Sequence, residues 1–208
     1  DLALDYVKKG QKIIEEMGTD IAKSHIYRRL GIIYEHIGDY DEAIRYYLLE
    51  FNILTKIGEQ WPVGSSNFRM GKIYFLMSDY DKAIQHLTES LNIRSEIHKK
   101  QHIDNRTFRF YSQISIETFI LLSKKYLNVK YEIKEILQLI KKEKISKVET
   151  YSINMELNYH LYKLLEDTSY LETAHNQVQE KADKLEPDVA VDIIFEHNNT
   201  LFGNTKHQ

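Results

Sequence analysis

The stretch RRLGIIYEHIGDYDEAI, Arg28 to Ile44, returns forty residues later as FRMGKIYFLMSDYDKAI, Phe68 to Ile84. A chain that repeats a phrase at a fixed period folds as a row of like units, each burying its apolar face against the next. The copies agree at Arg29/Arg69, Gly31/Gly71, Tyr34/Tyr74, Asp39/Asp79, Ala43/Ala83 and Asn52/Asn92, among others. Agreement is concentrated at small and aromatic residues, the types that close packing constrains. The repeat is therefore structural.

Its parts have separate mechanical roles. Gly31 and Gly71 lie inside helical patterns, where glycine costs about 1 kcal/mol against alanine. That cost predicts a neighbouring helix pressed close at both sites, with Ala43 and Ala83 serving likewise on a second helix. Tyr34, Tyr74, Tyr47 and Leu87 supply the bulk between the pair. In IGDYDEA and MSDYDKA, Asp39 and Asp79 suit helix N-caps, while Asp41, Glu42 and Asp81 bring negative charge to the first turn that follows. Each unit reads helix, tight turn, helix.

This pattern resembles the tetratricopeptide repeat in a form of about forty residues. The signature Leu-Gly, then Tyr, Ala and an aromatic is met by Leu30-Gly31, Tyr34, Ala43 and Tyr47. The second copy has Met70-Gly71, Tyr74 and Ala83, with Leu87 in place of the aromatic and Asn67 where the first copy has Tyr27. The resemblance implies an all-α fold, a right-handed α-solenoid of antiparallel helix pairs. It divides a single domain, 1–208, into the second helix of a truncated repeat (1–18), repeats at 19–58 and 59–98, a degenerate repeat at 102–144, a repeat at 149–186 that recovers the small residue at Ala174, and a capping helix with tail at 187–208. In the degenerate unit, Tyr111 stands where the glycine is expected. The chain opens at Asp1 in mid-repeat, so a fragment of a longer protein is expected, and Leu2, Leu4 and Val7 are expected to lack their natural cover.

Composition narrows the function. A formal net charge of -3 over 208 residues argues against a dedicated nucleic-acid binder. The absence of cysteine removes disulfides, thiolate metal sites and cysteine nucleophiles, and fits a cytoplasmic setting. No apolar run approaches the roughly 20 residues of a bilayer span, so no membrane partner is expected. His98 and His102 share a helical spacing without the acids that would complete a metal set, and solvated histidines are the simpler reading. Neither a glycine-rich phosphate loop nor a nucleophile elbow occurs. The DYDEA and DYDKA acids fit helix starts better than catalysis, and the Lys141–Lys147 basic run fits a solvated face. The chain is expected to be no enzyme and to need no cofactor.

One feature exceeds packing. Arg29, Arg69 and Arg109 recur at one repeat position, with Arg28, Lys72 and Arg106 close by. By the resemblance this position faces the concave groove, and a guanidinium row suits carboxylates or phosphates. The groove expected to hold a peptide or helix of a protein partner, an acidic one, is Arg28, Arg29, Phe68, Arg69, Lys72, Phe75, Phe108 and Arg109. The competing expectation is that the cations pair with acids of adjacent helices. Ile32 and Phe68 interrupt the carboxylate clamp of chaperone-binding relatives, so a chaperone tail is not expected. Two alternatives keep the fold. One makes the chain the regulatory arm of a larger signalling protein such as a nucleotide cyclase, an ATPase regulator or a kinase. The other is a peptide sensor or phosphatase, which requires an added helical bundle not seen in the sequence. The bare face of the first helix makes a dimer through the N-terminal repeat a further expectation.

Overall fold

The computed structural model describes residues 2–101, 113–143 and 151–184. Among the described residues there are nine α-helices and no strands: α1 (Leu2–Met17), α2 (Asp20–Ile37), α3 (Tyr40–Ile57), α4 (Gln60–Leu76), α5 (Tyr80–Gln101), α6 (Gln113–Tyr126), α7 (Lys134–Glu143), α8 (Tyr151–Leu165) and α9 (Thr168–Ala182). The chain divides into two compact units, residues 1–129 with α1 to α6 and residues 130–208 with α7 to α9. The first unit is a helix-hairpin solenoid, each helix packed on the next.

Stops and starts recur every twenty residues. Thr19, Asp39 and Asp79 each accept a hydrogen bond from a backbone N–H three residues on, Ala22 at 3.3 Å, Glu42 at 3.2 Å and Lys82 at 3.2 Å. That satisfies one of the donors a helix start leaves open. Glu59, at the same interval, begins α4 without such a bond. The helix ends use a left-handed residue. Gly38 (φ 85) places its own N–H on Glu35 O and lets Asp39 N–H reach Tyr34 O at 3.0 Å. Ser78 (φ 63) and Asn128 (φ 55) close α4 and α6 with the same bond pattern.

The close approaches lie at the glycines. A Cβ on Gly31 would stand 2.5 Å from Tyr47 Cε1, and one on Gly71 2.7 Å from Leu87 Cγ. Tyr47, Leu87, Ala43 and Ala83 are all fully buried. Around Ala43 and Tyr47 gather Ile44, Met70 and Ile73, with Tyr34 and Tyr74 at the margin. Around Ala83 and Leu87 gather Phe68, Ile116, Phe119 and Ile120. In the second unit α8 and α9 pack as a pair over Ala174 and Val178, with Tyr159 against them.

The turn that closes α6 departs from the forty-residue register. Arg29 lies nine residues before the left-handed Gly38, and Arg69 nine before Ser78; nine before Asn128 is Phe119. Gly71, seven before its turn residue, is likewise matched by Leu121 and not by Tyr111. The cause is the length of the preceding segment. α5 runs 22 residues against 18 for α3, and the left-handed Asn128 stands 50 residues after Ser78, whereas Ser78 stands 40 after Gly38. Tyr111, Phe108 and Arg109 themselves, the metal candidate His102, the His98 side chain and the 187–208 cap and tail lie outside the described residues.

Candidate functional site

On each first helix of a hairpin a stripe of residues points away from the core. On α2 it carries Ile21, His25 and Arg29, all exposed; on α4 it opens on the exposed Trp61, while Ser65, Arg69 and Lys72 farther along are half-buried. The two helices are neighbours, because Lys72 Nζ on α4 reaches Glu35 Oε1 on α2 at 3.4 Å. Five cationic or acidic side chains of the two hairpins converge beneath this stripe.

Arg28 Nε donates to Glu50 Oε1 at 2.6 Å, joining α2 to α3, and its Nη2 donates to His25 Nδ1 at 3.2 Å. Glu50 is 2% exposed. Burial pushes its carboxyl above the usual range, and the Arg28 guanidinium acts in the opposite direction. Glu35 serves two donors, Lys72 on Oε1 and the Tyr47 hydroxyl on Oε2 at 2.8 Å. The Tyr47 hydroxyl is raised well above an ordinary phenol, first by burial and then by the Glu35 charge. Arg69 lies over the Tyr47 ring, 5.8 Å from its centroid, and its charge also acts on Glu50.

Several residues expected to contact a partner are thereby committed elsewhere. Arg28 and Lys72 form internal ion pairs, because the acids they meet are buried or half-buried and require a counter-charge. Phe68, expected as an apolar groove contact, is 5% exposed and packs edge-on to Phe119 with centroids 6.3 Å apart. Phe75 is half-buried against Phe119, Tyr80 and Tyr126, at 5.1, 5.7 and 6.0 Å. Arg29 differs. It is exposed, and among the described residues no ion pair or hydrogen bond engages it.

Glu35, Glu50 and Tyr47 belong to this cluster although no motif in the sequence marks them as partners of the cations. Arg94, buried at 4%, is a fourth: its Nη2 donates to Ser65 Oγ at 3.4 Å, and its guanidinium lies 6.0 Å from the Phe68 ring. Among the described residues no group of three or more His, Asp or Glu side chains is placed to hold a metal ion. Nor, among them, is any helix long and apolar enough to cross a membrane.

With helix hairpins, glycine contacts and turn residues in place, comparison with known families agrees with the fold. The family model described as Tetratricopeptide repeat matches residues 20–96, from the start of α2 into α5. Over that stretch the chain is similar to the tetratricopeptide repeat family. Repeats of this family generally mediate protein–protein interaction and typically form non-catalytic scaffolds. None of the curated proteins compared matches the chain.

Proposed function

We propose that the outward stripe of α2 and α4 holds an acidic segment of a protein partner, with Arg29 as its principal charge contact. The observation that carries this reading is the contrast between Arg29 and its neighbours. Arg28 and Lys72 have acids of their own, whereas the Arg29 guanidinium is exposed and no described residue engages its fork of donors. The same two helices carry exposed apolar residues: Ile21 is 54% and Trp61 40% exposed, each at the opening of its helix. An aromatic and an arginine are the residue types that most often carry an interface. The same reading takes α8–α9 as a further repeat within 149–186, since Ala174 is fully buried between its two helices.

The test is a binding screen against an array of acidic peptides, followed by titration of the best binder. Arg29→Glu lowers its affinity at least tenfold while helical circular dichroism and thermal midpoint stay put. An Arg29→Glu protein that binds the same peptide as tightly as the parent overturns the assignment.

A further inference from the structure

His25 and Arg29 lie four residues apart on α2, so their side chains are neighbours along the exposed stripe. His25 is not loose there. Its Nδ1 lies 3.2 Å from Arg28 Nη2, and Arg28 Nε is fixed in turn on Glu50 Oε1 at 2.6 Å. A guanidinium has only N–H groups to offer, so in this contact the arginine donates and Nδ1 accepts. The ring is therefore neutral, with its proton on Nε2. A relay of three side chains runs from a carboxyl at 2% exposure to an imidazole in solvent.

Protonation of His25 undoes the outer link. The imidazolium has no lone pair left for Arg28, and its charge stands beside a second cation. Arg28 keeps its bond to Glu50, but its Nη2, on a side chain 31% exposed, loses its acceptor. On its own helix Arg28 and Arg29 flank the ring. From α3 Glu50 reaches it through Arg28, and from α4 the Arg69 charge acts on that same Glu50. Helix α1 meets α2 along Tyr27 and Tyr34, about 200° around the helix from His25. An acidic segment lying on the stripe favours the protonated state, because its carboxylates accept from the cationic ring, the freed Arg28 Nη2 and Arg29 together. Building on the acidic-segment reading of this stripe, we infer that His25 is a pH-gated contact of the site: tied to Arg28 when neutral, turned to the acidic partner when cationic. Binding tightens as pH falls from about 8 to about 5, the interval in which histidine side chains titrate.

The test titrates the best acidic peptide of the array into the whole chain at about pH 8 and about pH 5.5. The parent gains about fivefold in affinity at the lower pH. His25→Gln, whose amide oxygen can accept from Arg28 but which takes up no proton, shows no such gain. In the peptide-free chain, the Arg28 Nε–H signal in NMR spectra moves with the midpoint of the His25 ring resonances, and that step vanishes in His25→Gln. The same variant separates His25 from Glu50, whose carboxyl, pushed up by burial, also titrates beside Arg28. An array without a binder, or a peptide indifferent to Arg29→Glu, overturns the acidic-segment reading and this inference together. A peptide that needs Arg29 yet binds equally at both pH values overturns this inference alone. So does a His25→Gln protein that keeps the gain, or an Arg28 signal that ignores the His25 titration.

Discussion

Hairpin α2–α3 sets Arg28 against Glu50 in its interior, and hairpin α4–α5 sets Phe68 and Ser90 at the same two positions. The exchange recurs elsewhere. Where Tyr47 hands its hydroxyl to Glu35, the second hairpin has Leu87 and Phe75, both apolar. Where Tyr27 and Tyr34 embrace Tyr46, it has Asn67 accepting from His86 Nδ1 at 3.0 Å and Tyr74 stacked on the same ring at 5.3 Å. The glycine, the alanine and the capping aspartate are held in common. What the difference teaches is that the backbone route is set by the small and capping residues. The space between is filled in either a polar or an apolar way, provided both members of a contact change together.

The largest effect expected from this comparison is at the buried ion pair. Arg28→Ala leaves Glu50, at 2% exposure, without its ion-pair partner. Loss of one partner of a buried pair costs about 3 kcal/mol, read as a fall in the urea midpoint at unchanged slope. Arg28→Phe/Glu50→Ser copies the second hairpin into the first and should lie within about 1 kcal/mol of the parent, since removing both charges leaves none stranded. If the double substitution were as damaging as Arg28→Ala, the two hairpins would not be interchangeable at these positions.

The glycines sharpen the comparison at a lower magnitude. Gly31→Ala drives a methyl into the edge of the Tyr47 ring, which is tied at its hydroxyl to Glu35 and cannot swing aside. Gly71→Ala meets Leu87, an aliphatic side chain with no such tie. Overpacking of this size costs about 1–3 kcal/mol, offset by about 1 kcal/mol of helix propensity. Gly31→Ala should therefore lose about 2 kcal/mol and Gly71→Ala about half as much, compared by equilibrium unfolding. Equal losses would show that the Tyr47 hydroxyl does not anchor the ring.

The fold of α2 to α5 was legible because the repeat exposes its own packing sites: a glycine tolerated mid-helix marks a close approach, and aspartate before an acidic turn marks a start. The α6 register was not legible. A fixed offset of forty assumes evenly spaced turns, and Asn128 stands 50 residues after Ser78 where Ser78 stands 40 after Gly38. Only the left-handed Asn128, which in sequence is one asparagine among many, restores the phase. Of the candidate site, the cations were readable but their partners were not. Whether Arg28 meets Glu50 depends on the rotation of two helices about their axes, which periodicity fixes only coarsely. One signal was nevertheless present. Between the two copies Arg28 becomes Phe68 just where Glu50 becomes Ser90, a paired loss of opposite charges that contact alone explains.

His86 offers the smallest and most specific test, because it occupies the place of Tyr46 and only one of the two titrates near neutrality. Burial holds the imidazole below its usual 6.5, and the Lys82 charge adds to the shift. The groups facing it are Asn67 and Tyr74 on α4 and Lys82 on its own helix, with no carboxylate among these to favour the charged form. A base with a depressed folded-state pKa binds fewer protons folded than unfolded, so its contribution is complete above pH 6.5 and declines as pH falls through 6.5 toward the lower folded value. Histidine ring resonances followed by NMR should place the His86 midpoint below 6.5. Unfolding free energy should fall across the same interval in the parent and fall less in His86→Tyr, which gives the second hairpin the ring of the first. A His86 midpoint at or above 6.5 would mean that the Asn67–His86–Tyr74 stack is open to water, and that the polar filling of α4–α5 is not the sealed counterpart of the tyrosines in α2–α3.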